Sequence, residues 1–177
     1  KSLLFEDQHL ERLTKASRYF AYPFNPEDLR QKIEEECQVC DANQDYRLRI
    51  ILSKSGEIEL SRQILTTLSP SFCKAKLCLQ EADLQQAFTH FKTTHRPHLS
   101  LGEQEKIYHN KSGELLETSI GNLVLKINGK LYTPPIRQGI LPGIYRQHLL
   151  ETGQVEEKVL TLADLNQAEA VYGCNAV

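Results

Sequence analysis

Residues 7–22 place Leu10, Leu13, Ala16, Ser17 and Phe20 on one face at three- and four-residue steps. That period predicts an amphipathic helix. Asn25-Pro26-Glu27-Asp28 predicts the start of a second helix, with Asn as N-cap and Pro at the first helical position, running to about Cys37. The pattern then turns β-rich over Tyr46–Ser53. Lys54-Ser55-Gly56-Glu57 predicts a hairpin turn into Ile58–Leu60, and Ile64–Leu68 and Lys74–Leu79 are further strand candidates. Residues 1–80 therefore make an N-terminal α/β lobe, and the polar stretch 81–90 makes a linker. A second lobe fills 91–177. Within it a helix is expected over 100–109, a turn at Lys111–Glu114 and a strand from Leu115 to Thr118. Gly121–Ile127 alternates towards the hairpin pair Asn128-Gly129, with Leu131-Tyr132-Thr133 as the return strand. Gly143 precedes a helix over 144–150, Thr161–Asp164 caps a short helix, and Ala170–Tyr172 is a closing strand. The fold class is α/β (α+β) in two lobes.

The chain has 177 residues, 40% of them hydrophobic and 25% charged, with a formal net charge of −2. That composition is ordinary for a globular protein. No basic block points to nucleic acid, and no apolar run is long enough to span a membrane. The sequence begins at Lys1 and contains no Met, so both ends are expected to be incomplete. Five cysteines without a secretory signal favour reduced thiols in a cytoplasmic protein. Cys37, Cys40, Cys73 and Cys78 offer four thiolates for zinc, but the second pair sits in an alternating apolar stretch, and buried or incidental thiols are preferred. His90, His95 and His98 match no ligand spacing, and no metal is expected. His109 and His148 read as ordinary helix residues.

Two segments carry chemistry. Glu117-Thr118-Ser119-Ile120-Gly121-Asn122 joins two strands, and Leu141-Pro142-Gly143-Ile144-Tyr145-Arg146 opens a helix. A Gly-Ile-Tyr helix start offers backbone N–H groups and the positive end of the helix dipole to a phosphate. Read alone, such a glycine is more often a turn. The combination is more specific. A Glu, an Asn five residues on, an apolar-x-Thr and an apolar-x-Gly-apolar-x-basic run are matched at Glu117, Asn122, Leu131, Thr133, Leu141, Gly143, Ile144 and Arg146. This resembles the signature of the class-IV aminotransferases. It departs at Val124, where the family usually has an aromatic residue. His9-Leu10-Glu11-Arg12-Leu13 resembles the family's H-x-x-R-L helix. Phe91-Lys92-Thr93-Thr94-His95-Arg96 resembles the H-K-T-T-x-R segment of its aminodeoxychorismate lyases and their aminobenzoate-synthase fusions, with Phe91 in place of His.

The resemblance covers essentially the whole chain and implies a two-lobed fold-type-IV enzyme, like D-amino-acid aminotransferase, holding pyridoxal 5'-phosphate between its lobes. Only the family's first strand and hairpin, which should precede Lys1, are missing. Lys92 would hold the cofactor as a Schiff base and act as the catalytic acid/base. Glu117 would face the pyridine nitrogen, Leu141 would pack under the ring, and Asn122 and Gly143 complete the signature. The N–H groups of Ile144 and Tyr145, with Arg12, would hold the phosphate. Cys174 and Asn175 would approach from the other side. Arg47, Arg49 and Arg96 are candidates for substrate carboxylates, the first two on one strand face. A homodimer acting on a small molecule is expected. Three readings stay open: a 4-amino-4-deoxychorismate lyase, an aminotransferase for branched-chain or D-amino acids, and an inactive homologue or domain of a larger synthase. The K-T-T-x-R segment and the Asn175-Ala176 ending favour the lyase.

Overall fold

The computed structural model describes residues 3–65, 74–80, 89–96, 99 and 104–176. The chain divides into two compact units between Ser71 and Phe72.

In the first unit, helix α1 (Glu6–Phe20) and helix α2 (Pro26–Gln38) lie close to their predicted bounds. Asn25 caps α2 by accepting from the Glu27 N–H at 3.1 Å. Strands β1 (Tyr46–Leu52) and β2 (Ile58–Ile64) form an antiparallel ribbon in the register that pairs Leu52 with Ile58. The turn between them needs Gly56, whose φ is +88°. Leu10, Leu29 and Ile33 of the helices pack with Leu48, Ile50, Ile58 and Leu60, all from one face of the ribbon. The period-two alternation leaves Arg47 and Arg49 exposed on the other face.

The second unit is a seven-stranded sheet with short helices. Strand β3 (Ala75–Leu79) runs parallel to β4 (Glu105–His109), and β4 runs antiparallel to β5 (Leu115–Thr118). Strand β6 (Asn122–Ile127) meets β5 at its first residue. It then pairs with β7 (Lys130–Thr133) and with β9 (Ala170–Cys174), while β7 runs parallel to the two-residue β8 (Glu156–Glu157). The β6–β7 turn has Asn128 at φ +50° and Gly129 at +77°, the left-handed pair that the Asn-Gly signal predicts. A 3-10 turn spans Ile136–Gln138. Helix α3 (Ile144–Glu151) follows Gly143, and helix α4 (Leu162–Gln167) begins with a full capping box between Thr161 and Asp164.

Two expectations change here. Residues 105–109 form a strand, not part of a helix, and His109 therefore lies in β4. The reason is burial on both faces. Ile107 and Leu115 enter one apolar cluster with Leu123, Leu125, Ile127 and Leu160. Their neighbours Tyr108 and Leu116 enter a second cluster with Leu99 and Ile140. A strand covered on both faces loses its alternation, so its period cannot identify it. The strand at 75–79, assigned from sequence to the first lobe, pairs within the second unit. The proposed continuation at 66–68, the linker residues 81–88, Cys73 and His98 lie outside the described residues. Cys37 and Cys40 belong to the first unit and Cys78 to the second.

Candidate active site

The corner between β5 and β6 is built from small and polar side chains. The Thr118 N–H donates to the Gly121 carbonyl at 2.9 Å, and the Gly121 N–H donates to Thr118 Oγ1 at 3.1 Å. Ser119 ties the corner to β4: its N–H donates to the Lys106 carbonyl at 3.1 Å, and its Oγ accepts from the Lys106 N–H at 2.9 Å. Gly121 permits the approach of β9, because a Cβ there would stand 2.5 Å from the Cys174 carbonyl oxygen. The corner thus sets Glu117 and Asn122 opposite each other, with Cys174 across from Asn122 on the other side. Asn175 Nδ2 donates to the Ile120 carbonyl at 3.2 Å and secures the segment after β9.

Glu117 and Asn122 both hold the turn before α3. Asn122 Nδ2 donates to the Leu141 carbonyl at 2.8 Å, and the Leu141 N–H donates to the Glu117 carboxylate. A Cβ on Gly143 would overlap Asn122 Oδ1, so this glycine is required by close packing. With φ −70° and ψ 138° it adopts extended backbone that other residues also adopt. Among the described residues, no side chain caps the start of α3. Such a start, with its backbone N–H groups and positive dipole end, favours an anion.

Glu117 is 2% exposed. Burial pushes its carboxyl up to about 7, while the Arg96 charge and the Leu141 N–H pull it down. Arg96 Nη2 lies 3.4 and 3.5 Å from the two carboxylate oxygens. Arg96, put forward for a substrate carboxylate, is thus brought against Glu117. Lys92 lies exposed four residues earlier on the same segment. There the Thr93 hydroxyl donates to the His95 carbonyl at 2.6 Å. Burial pushes the Cys174 thiol up to about 11, with the Arg146 charge opposing.

Ile144 is buried in the first turn of α3, and the Tyr145 ring stacks on His148 at 6.1 Å. The structure therefore brings Glu117, Asn122, Leu141, Gly143, Cys174, Asn175 and Arg96 into one connected corner of the second unit. Arg12, Arg47 and Arg49 belong to the first unit. Arg12 Nη2 lies 3.3 Å from His9 Nδ1, one turn earlier in α1. Among the described residues, no three His, Cys, Asp or Glu side chains cluster as metal ligands, and no helix is long and apolar enough to cross a membrane.

Sequence reasoning assigned no role to three residues that matter here. Thr118 makes the corner. Thr133 Oγ1 donates to the Leu123 carbonyl at 2.7 Å in full burial. Arg146, 2% exposed, donates to the Pro134 carbonyl at 2.8 Å and pairs with Glu157, clasping α3 to β8. Only the basic position ending the Leu141–Arg146 run marked Arg146, and a lone Arg in a helix reads as solvated.

A buried carboxylate near a neutral pKa can face a basic ring nitrogen, and the start of α3 offers donors to an anion. Comparison with known proteins gives the family. The family model for class IV amino-transferases matches residues 1–177, and the chain belongs to that family of pyridoxal-phosphate-dependent enzymes. Among its relatives is the aminodeoxychorismate lyase of Saccharomyces cerevisiae, 26% identical over 240 aligned positions that take in 97% of this chain. The chain spans only 64% of the yeast protein's length. An aminotransferase from Brucella abortus bound to the cofactor PLP shares the fold at a TM-score of 0.76 and 17% identity, covering 97% of this chain and 72% of that one. The 4-amino-4-deoxychorismate lyase of Pseudomonas aeruginosa shares it at a TM-score of 0.63 and 20% identity, covering 96% and 73%.

Proposed function

We propose that this chain is a pyridoxal-phosphate-dependent 4-amino-4-deoxychorismate lyase, releasing pyruvate and 4-aminobenzoate towards folate, in a cytoplasmic homodimer. The observation that carries the cofactor assignment is the buried Glu117 carboxylate, tied through the Leu141 N–H to the turn that opens α3. The cofactor, when bound, supplies an electron sink for the electron pair left on the substrate's amine-bearing carbon.

The chain's own residues would do the rest. Glu117 keeps a proton on the ring nitrogen, which makes the ring the better sink. Leu141 supports the ring from beneath. The Ile144 and Tyr145 N–H groups would bind the phosphate at the start of α3, and the resemblance of its segment gives the Arg12 guanidinium a phosphate-binding role as well. Gly143 and Asn122 keep that turn in shape, and Cys174 and Asn175 approach the phosphate or substrate from β9. Lys92 Nζ would hold the cofactor covalently and, as a free amine, would take the proton from the substrate's amine-bearing carbon. Pyruvate departs and the substrate ring becomes aromatic. Arg47 and Arg49, adjacent on one face of β1, suit the substrate carboxylates.

The choice of lyase is supported by the Lys92-Thr93-Thr94-His95-Arg96 segment and by the yeast relative's name. An aminotransferase for branched-chain or D-amino acids is the second reading, favoured by the fold shared with the Brucella aminotransferase. Two measurements test the proposal. Borohydride treatment with pyridoxal phosphate, followed by peptide mass mapping, should leave the cofactor on Lys92 and on no peptide of Lys92→Ala; labelling at another lysine refutes the assignment. Pyruvate should form from aminodeoxychorismate with no 2-oxo acid added, and Lys92→Ala should slow it by roughly 10³-fold. Amine transfer to 2-oxoglutarate without pyruvate release selects the aminotransferase instead.

A further inference from the structure

Arg96 shares a short segment with Lys92 and reaches the end of β5, where Glu117 lies. Their side chains are 18% and 3% exposed, so water screens this pair little, and neither charge is easily left without a counter-charge. The geometry is unusual for an arginine–carboxylate pair. A single nitrogen, Nη2, stands astride both oxygens at 3.4 and 3.5 Å, rather than two nitrogens forming a fork. Nε is buried and makes no hydrogen bond among the described residues. The guanidinium therefore supplies charge and one shared donor without enclosing the carboxylate edge, which also takes the Leu141 N–H.

We propose that Arg96 is a positioning residue that acts through Glu117, holding its carboxylate in the orientation and the anionic form that the cofactor's ring nitrogen meets. This rests on the pyridoxal-phosphate reading above. The chemistry depends on where one proton sits. A neutral Glu117 carboxyl would keep its proton, donate only a hydrogen bond to the ring nitrogen and leave the ring unprotonated, a weaker electron sink. A carboxylate accepts from a protonated ring. Burial favours the neutral carboxyl, and the Arg96 charge opposes it. A substrate carboxylate would compete with Glu117 for the same guanidinium, so this role separates Arg96 from Arg47 and Arg49.

The test compares two ligands in equilibrium binding: pyridoxal phosphate, and its carbocyclic analogue with C–H in place of the ring nitrogen. Arg96→Gln should raise the Kd for pyridoxal phosphate about tenfold, the equivalent of one pKa unit at the carboxylate, and leave the Kd for the analogue unchanged. Arg96→Lys keeps the charge and should stay within roughly threefold of the original protein for both ligands. In a Glu117→Gln background, Arg96→Gln should have no further effect on either ligand. Equal weakening of both ligands by Arg96→Gln or by Arg96→Lys shows a general structural role and overturns the proposal. So does an unchanged affinity for pyridoxal phosphate in Arg96→Gln. Failure of the unsubstituted protein to bind pyridoxal phosphate overturns the cofactor reading and this inference together. Normal binding with Lys92 labelled, but no ligand-dependent effect of Arg96, overturns this inference alone.

Discussion

The two units bury different kinds of residue. Among the described residues of the first unit, those buried are Leu10, Leu29 and Ile33, with Ser17 as the polar exception, its hydroxyl donating to the Thr14 carbonyl at 2.9 Å. The second unit buries Glu117, Thr118, Ser119, Asn122, Thr133 and Arg146 among its leucines and isoleucines. A buried polar group is costly unless it is paired. The partners here are backbone groups of β4, β6, the β5–β6 corner, Pro134 and the turn before α3, together with the Arg96 and Glu157 side chains. The first unit is held by apolar volume on a simple period. The second is held by apolar volume together with a polar network whose members fix one another, and the candidate site lies in that network.

The difference can be broken from either side. Leu29 is 1% exposed in the first unit, and Leu29→Ala should cost about 4 kcal/mol, read by urea unfolding, because it leaves a cavity between helices and ribbon. In the second unit, adding one methyl should do comparable damage. Gly143→Ala should cost about 3 kcal/mol through overlap with Asn122, and Asn122→Ala in the same chain should restore part of it. Full stability in Gly143→Ala would show that the turn before α3 yields.

Glu117 sharpens the contrast through pH. Its folded carboxyl near 7 lies above the ordinary 4.5, so the folded state of the cofactor-free protein binds more protons between those values. Stability should therefore fall as pH rises from about 4.5 through 7, by about 3 kcal/mol at 1.36 kcal/mol per unit. Glu117→Gln should remove that slope, and a slope that persists would show that other groups cause it. The smallest stability effects belong to the open face of the first unit. Arg47→Ala and Arg49→Ala should each change stability by less than about 0.5 kcal/mol. If these side chains receive substrate carboxylates, KM should still rise; an unchanged KM would remove them from the site.

The second unit was also the harder one to read from sequence. Helix α2 has a capping residue, and both α1 and α2 have a one-sided apolar stripe. Those features act within a few residues, so Asn25 and the Leu10–Leu13 spacing were enough. The hairpin turns at Gly56 and at Asn128-Gly129 were readable for the same local reason. Strand β4 was not, because Ile107 and Tyr108 are both buried, on opposite faces. The candidate site was readable in part. Glu117, Asn122 and Gly143 stood out by spacing and resemblance, since a turn that excludes a Cβ can use only glycine. Arg96 and Arg146 did not stand out in their roles, because their partners lie 21 and 11 residues away along the chain.

By itself, then, the sequence determined the local elements, the family signature and the residue types at which chemistry is expected. Tertiary structure decided that β3 belongs to the second unit and that residues 105–109 extend rather than coil. It also decided that Glu117 is buried between Arg96 and the Leu141 N–H. The physical reason is range. Caps, turns and apolar periods are settled by neighbours in the chain. Burial on both faces of a strand and the acidity of a carboxyl depend on groups that only folding brings together.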